Sequence, residues 1–184
     1  MPLGEEAFDS VLEAAKSGAE WAWAALYRDL AGPVTGYLAS RGSPEPEDVA
    51  SEVFLNVARA IHRFSGDEAS FRSWVFVIAH RQLLDDRRAR RRRPVVTELT
   101  PGVGGEGGNA EGEAIEHLVT EELRMAFESL TEDQRDVLAL RMIGGLTSQQ
   151  TAQVMGKRIG AIKALQRRAV VALQKKLRFE DVPL

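Results

Sequence analysis

The chain has 184 residues, 44% of them apolar and 28% charged, and contains no cysteine. That composition excludes global disorder, and the missing thiols exclude disulfide staples, thiolate metal sites and cysteine nucleophiles. The acidic N-terminus (Glu5, Glu6, Asp9) is unlike a signal peptide. The apolar run Trp74 to Ala79, like the others in the chain, is far short of the roughly 18 residues that span a bilayer, so a soluble, cytoplasmic protein without membrane insertion is expected.

The net charge of −3 conceals a strong segregation of sign. Residues 1–80 carry 6 basic and 12 acidic side chains, and residues 81–93 carry 7 and 2. Residues 94–133 carry 1 and 10, and residues 134–184 carry 10 and 3. Two basic blocks separated by acid can each meet a polyanion although the whole chain is acidic.

In chain order, the first periodic segment follows the breakers of Arg41-Gly-Ser-Pro-Glu-Pro46. There Val49, Val53, Val57 and Ile61 recur every four residues and predict one buried helix face. Asp48, Ser51, Glu52, Leu55 and Arg59 fall on another line, where Leu55 interrupts an otherwise polar stripe. A docking surface with an apolar centre has that pattern; packing of Leu55 on a neighbouring helix of the same domain fits it equally well. The loop from His62 to Ser70 follows, with Arg63, Phe64 and Ser65 placing an aromatic beside a cation, as proteins that hold unpaired bases do. Phe64 could equally cap the core.

Phe71 to Arg93 opens with Trp-Val-Phe-Val-Ile-Ala, which also suits a buried strand. The absence of Gly and Pro up to Pro94 favours a helix that starts buried and emerges as a basic rod. On the 3.6-residue period His80, Arg87 and Arg91 share one line, and Arg81, Asp85, Arg88 and Arg92 the adjacent one. A helix C-terminus is satisfied by one or two cations. Six arginines in the seven positions 87–93 repel one another without an anionic partner, and the guanidinium fork matches phosphate.

Residues 94–116 contain six glycines, two prolines, five glutamates and no basic residue, and predict a flexible acidic linker. As a coil it would average about 25 to 30 Å end to end. Beyond it, Val119, Leu123, Phe127 and Leu130 form a helical face. Thr131-Glu-Asp-Gln134 and Thr147-Ser-Gln-Gln150 are two capping boxes, each opening a helix; the first of these helices ends at Gly144-Gly145, the second at Gly156. A last helix has Ile162, Leu165, Ala169, Leu173 and Leu177 inward. Two helices joined by a tight glycine turn predict a helix-turn-helix. Lys157, Arg158, Lys163, Gln166, Arg167 and Arg168 are its candidate contacts to bases and phosphates.

Over nearly its whole length the chain resembles the extracytoplasmic-function (ECF) class of bacterial sigma factors of the sigma-70 family. Pro46 to Phe64 is similar to that family's second conserved region, and Phe71 to Arg93 to its helix for opening and reading the −10 element. Leu130 to Arg135, Gly144 to Ala152, Gly160 to Lys163 and Arg167 to Ala169 are similar to its −35-binding domain. The resemblance implies an all-α fold of two small helical domains, region 2-like over 1–93 and region 4-like over 117–184, joined by the linker at 94–116. It implies docking of Asp48, Ser51, Glu52, Leu55 and Arg59 on the β′ clamp helices of core RNA polymerase, with the β flap as a second contact. Arg63, Phe64, Ser65, His80, Arg81, Arg87, Arg88 and Arg91 would serve the −10 element, and the six residues of the helix-turn-helix the −35 element. Promoter DNA and an anti-sigma factor are the implied partners.

The chain departs from the family pattern at Ser51, where glutamine is common, at Lys157 and Arg158, and at Ala164-Leu165-Gln166. These departures bear on one clamp contact and on the −35 sequence. A polymerase-independent helix-turn-helix regulator is the alternative; it would need neither the docking stripe nor a single-strand platform. No enzyme is expected, and neither a cofactor nor a metal site. His62, His80 and His117 have no metal-ligand spacing, and the glycines lack the strand and helix of a phosphate-binding loop.

Overall fold

A computed structural model of the chain describes residues 5–92 and 123–177. The expected linker, Val119 and residues 178–184 lie outside them. The described residues form helices and no strands. The first unit comprises α1 (Glu5–Lys16), α2 (Glu20–Ser40), α3 (Pro46–Ala60), a 3-10 turn at Ile61–Arg63 and α4 (Glu68–Arg92). The second comprises the helical residues 123–128 (α5), α6 (Glu132–Met142), α7 (Ser148–Met155) and α8 (Ile159–Lys176).

Local chemistry accounts for the boundaries. Pro46 occupies the first turn of α3, where its missing N–H is not needed. Both capping boxes form: the Thr131 and Thr147 hydroxyls accept from the N–H groups of Gln134 and Gln150, whose side chains accept from the threonine N–H groups. Gly156 ends α7 in the left-handed conformation (φ 62°), which a side chain would disfavour. The apolar start of α4 is helical, so length was the right arbiter over branched-residue content.

Val53, Val57 and Ile61 are buried with Leu26, Leu30, Val34, Val75, Phe76 and Leu83 in the core of the first unit. The second unit has only small clusters of its own, one around Leu130, Leu138 and Ala169 and another around Val137, Ala152 and Ile162. Its Ala139, Leu140, Leu146 and Val154 instead belong to the core of the first unit. A domain of this size buries too little surface to satisfy every apolar face alone. The sequence pointed to two tethered units; in the structure they share one continuous core.

Candidate polymerase and nucleic-acid interfaces

The α3 stripe stands clear of that core. Asp48, Ser51, Glu52, Leu55 and Arg59 are all exposed, Leu55 by 56%. More than half of Leu55 is therefore left uncovered by the chain. Glu52 accepts a hydrogen bond of 2.5 Å from Gln82 of α4, which holds its carboxylate toward that helix. Phe54 packs on Tyr27 of α2, itself 49% exposed, with the rings tilted by 58° and their centroids 4.8 Å apart. This aromatic pair beside the stripe was missed in the sequence, because a contact between helices leaves no periodic trace on either.

At the start of α4 the loop residues His62, Arg63 and Ser65 are exposed. Phe64 is half-buried, its ring stacked on Trp74 (centroids 5.1 Å apart) and edge-on to Phe71 (5.2 Å). Phe64 thus packs on the core. Further along, Arg81 and Arg88 are exposed, and Arg88 pairs with Asp85 at 3.1 Å. The side chain of Arg91 lies outside the described part.

His80 and Arg87, two of the residues expected at the −10 element, are drawn inward instead. His80 is 7% exposed, and its Nδ1 lies 2.7 Å from the Tyr37 hydroxyl. That hydroxyl is also 3.4 Å from Asp136 of α6. The hydroxyl donates to the Asp136 carboxylate. Burial chiefly, with the charges of Arg41 and Arg87, pushes the His80 pKa below 6.5 against the opposing pull of Asp136 and Asp133. Burial and then Asp136 push the Tyr37 hydroxyl well above 10. Arg87 is half-buried and donates to the Arg41 carbonyl at 2.6 Å; burial and then the neighbouring Arg41 charge lower its pKa.

The centre of this cluster is an ion pair between the units. Arg41, which caps the C-terminus of α2, donates from Nε to Asp136 Oδ1 at 2.5 Å. Their side chains are 0% and 6% exposed. Arg41 also donates to the Glu132 carbonyl at 3.3 Å. Nothing in the local sequence marked Arg41 as special. Asp136 left one sign, a carboxylate directly ahead of the apolar Val137-Leu-Ala-Leu140.

In the second unit α7, the turn and α8 make the expected helix-turn-helix. Lys163, Arg167 and Arg168 are exposed, Gln166 is partly so, and Ile162 and Ala169 face inward. Arg158, at the N-cap of α8, is exposed, and Lys157 pairs with Asp133 at 3.0 Å. A basic helix face carried on a short-turn support has the shape and charge to enter a major groove.

Comparison with known proteins agrees with this geometry. Residues 23–93 match the model of sigma-70 region 2, and residues 120–173 that of sigma-70 region 4. The two units are therefore sigma-70 domains. The chain is 33% identical to the ECF RNA polymerase sigma factor BldN of Streptomyces coelicolor over 91% of its own length and 64% of BldN. It is 31% identical to the ECF RNA polymerase sigma factor ShbA of Streptomyces griseus over 70% of its own length and 69% of ShbA. In fold it is similar to the sigma factor RpoE of Bartonella quintana, solved with the anti-sigma factor NepR. That match has a TM-score of 0.64 and 18% identity, and covers 85% of this chain and 98% of RpoE. The chain belongs to the ECF class of RNA polymerase sigma factors.

Proposed function

We propose that the protein is an alternative sigma factor that binds core RNA polymerase, directs it to a class of promoters and assists DNA melting. The observation that carries this reading is the pairing of two exposed surfaces on opposite units: the Leu55-centred stripe of α3 and the basic face of α8. A regulator acting without polymerase has no use for the first. In this reading residues 1–93 and 117–184 are the functional domains and 94–116 the linker. Asp48, Ser51, Glu52, Leu55 and Arg59 dock on the polymerase clamp. Arg63, Phe64, Ser65, His80, Arg81, Arg87, Arg88 and Arg91 hold the −10 element. Lys157, Arg158, Lys163, Gln166, Arg167 and Arg168 read the −35 element.

The protein acts in the cytoplasm, where its polymerase is, and by binding rather than by catalysis. Among the described residues no helix is long and apolar enough to cross a membrane. An anti-sigma factor is a fitting partner, as NepR is for RpoE of Bartonella quintana. The test is co-elution with bacterial core RNA polymerase beside an Asp48→Ala, Glu52→Ala double variant and a competing housekeeping sigma factor. Binding that the competitor displaces and the double variant weakens is expected. Failure of the wild type to bind, with DNA affinity retained, would instead favour the polymerase-independent regulator.

A further inference from the structure

Glu52 differs from the other polar members of the α3 stripe in how it is held. Its Oε2 accepts from the Gln82 amide of α4 at 2.5 Å, although the carboxylate is exposed and the two residues lie 30 positions apart. The Ser51 hydroxyl instead turns back to the Glu47 carbonyl of its own helix, at 2.9 Å. Among the described residues no cation pairs with Glu52. A neutral donor therefore fixes the carboxylate without cancelling its charge, and a carboxylate with one oxygen so engaged keeps further lone pairs for a second donor.

The hydrogen bond sits at the rim of the core where α3 meets α4. Glu52 is followed by Val53 and Gln82 by Leu83, and both of these apolar side chains are completely buried in that core. Burial of the neighbours fixes the two backbones, and Gln82, only partly exposed, is further confined by its surroundings. What burial leaves open is the set of rotamers of Glu52. An exposed glutamate samples many of them, and ordering it on binding a partner has an entropic cost. A hydrogen bond to an ionised acceptor is among the stronger kinds and removes that freedom before the partner arrives.

We propose that Gln82 is a positioning residue for polymerase docking: its amide sets the Glu52 carboxylate in advance, beside the Leu55-centred face, to receive a cationic side chain of the polymerase. This deepens the sigma-factor reading and rests on it for the identity of the partner. Gln82 itself touches only Glu52 in this role. Its neighbour Arg81 is exposed and assigned to the −10 element. Successive residues of α4 thus serve different partners, because about 100° of helical rotation turns them to different faces.

The test is competition of the full chain against a labelled wild-type chain for core RNA polymerase. Gln82→Met keeps the length of the side chain and removes the donor. Kd should rise about three- to tenfold, the cost of ordering one free side chain at an interface. If Gln82 acts through Glu52, the same substitution made in a Glu52→Ala background should have no further effect on Kd. An unchanged Kd for Gln82→Met, or an equal loss in both backgrounds, would overturn the proposal.

A second variant separates docking from folding. Glu52→Gln combined with Gln82→Glu exchanges donor and acceptor, so the hydrogen bond can form again while the charge moves from α3 to α4. The thermal midpoint of this exchanged pair should match that of the wild type, whereas its Kd should stay weakened. Recovery of Kd together with the midpoint would overturn the positioning role and leave the pair to the fold. Failure of the wild type to bind core polymerase would overturn the sigma-factor reading and the proposal with it, and that failure is visible before any variant is made.

Discussion

Leu55→Ala tests the docking surface where its energy is concentrated. The side chain is 56% exposed in the free chain. Complete burial of a leucine is worth about 1.5 to 3 kcal/mol, so covering what remains exposed contributes about 1 to 1.5 kcal/mol. Alanine keeps one of four side-chain carbons, and the loss on binding is therefore about 1 kcal/mol, or about fivefold in Kd. The part already buried limits the cost to the free chain's stability to less than about 1 kcal/mol. Competition against a labelled wild-type chain for core polymerase measures the first quantity, and thermal unfolding the second. Arg59→Ala, an exposed rim cation, should change Kd by less than about twofold. An unchanged Kd for Leu55→Ala, or a loss of folding stability several times that predicted, would refute the assignment of Leu55 as the apolar centre of the docking face.

Three further outcomes follow from the local chemistry. Thr147→Ala removes the cap of α7 and should cost about 1 kcal/mol of stability, read as a lower thermal midpoint, whereas Thr147→Ser should recover most of it. Replacing Arg167 and Arg168 by Ala should reduce the slope of log K against log salt for duplex DNA by about 2, because each phosphate contact contributes about 0.9; an unchanged slope would place these arginines away from the DNA. His80 gives a pH dependence. Its pKa in the packed form is below 6.5, so the unfolded chain binds its proton first as pH falls. The packed form keeps full stability above about 6.5 and loses it as pH drops from there toward the lower packed value. Thermal midpoints at pH 7 and 6 should differ more for wild type than for His80→Gln, and equal differences would exclude His80 as the source.

Much of this architecture was legible because it is written in local chemistry. A capping box needs two residues three apart, so Thr131 with Gln134 and Thr147 with Gln150 could be read directly, as could the left-handed stop at Gly156. The Val53 and Val57 face and the separate line through Leu55 follow from helical period alone, whereas the exposure of Leu55 was decided by the tertiary structure. The Trp74 to Ala79 run was ambiguous by composition, and continuity into Arg93 decided it. The same period left the burial of His80 undetermined. It describes the angular order of side chains around one helix and says nothing of what later covers a face.

What the sequence by itself determined, then, is the set of helices, their caps, the amphipathic faces and the segregation of charge. Each depends on residues within about a turn or two of one another. Only the tertiary structure decided that the two units share a core, that Arg41 and Asp136, 95 positions apart, form a buried pair, and that Phe64 packs on Trp74. Apolar burial is non-directional, and an apolar face carries no mark of its partner. The partner is selected by shape, and by whether every charge that burial carries inward finds its opposite there.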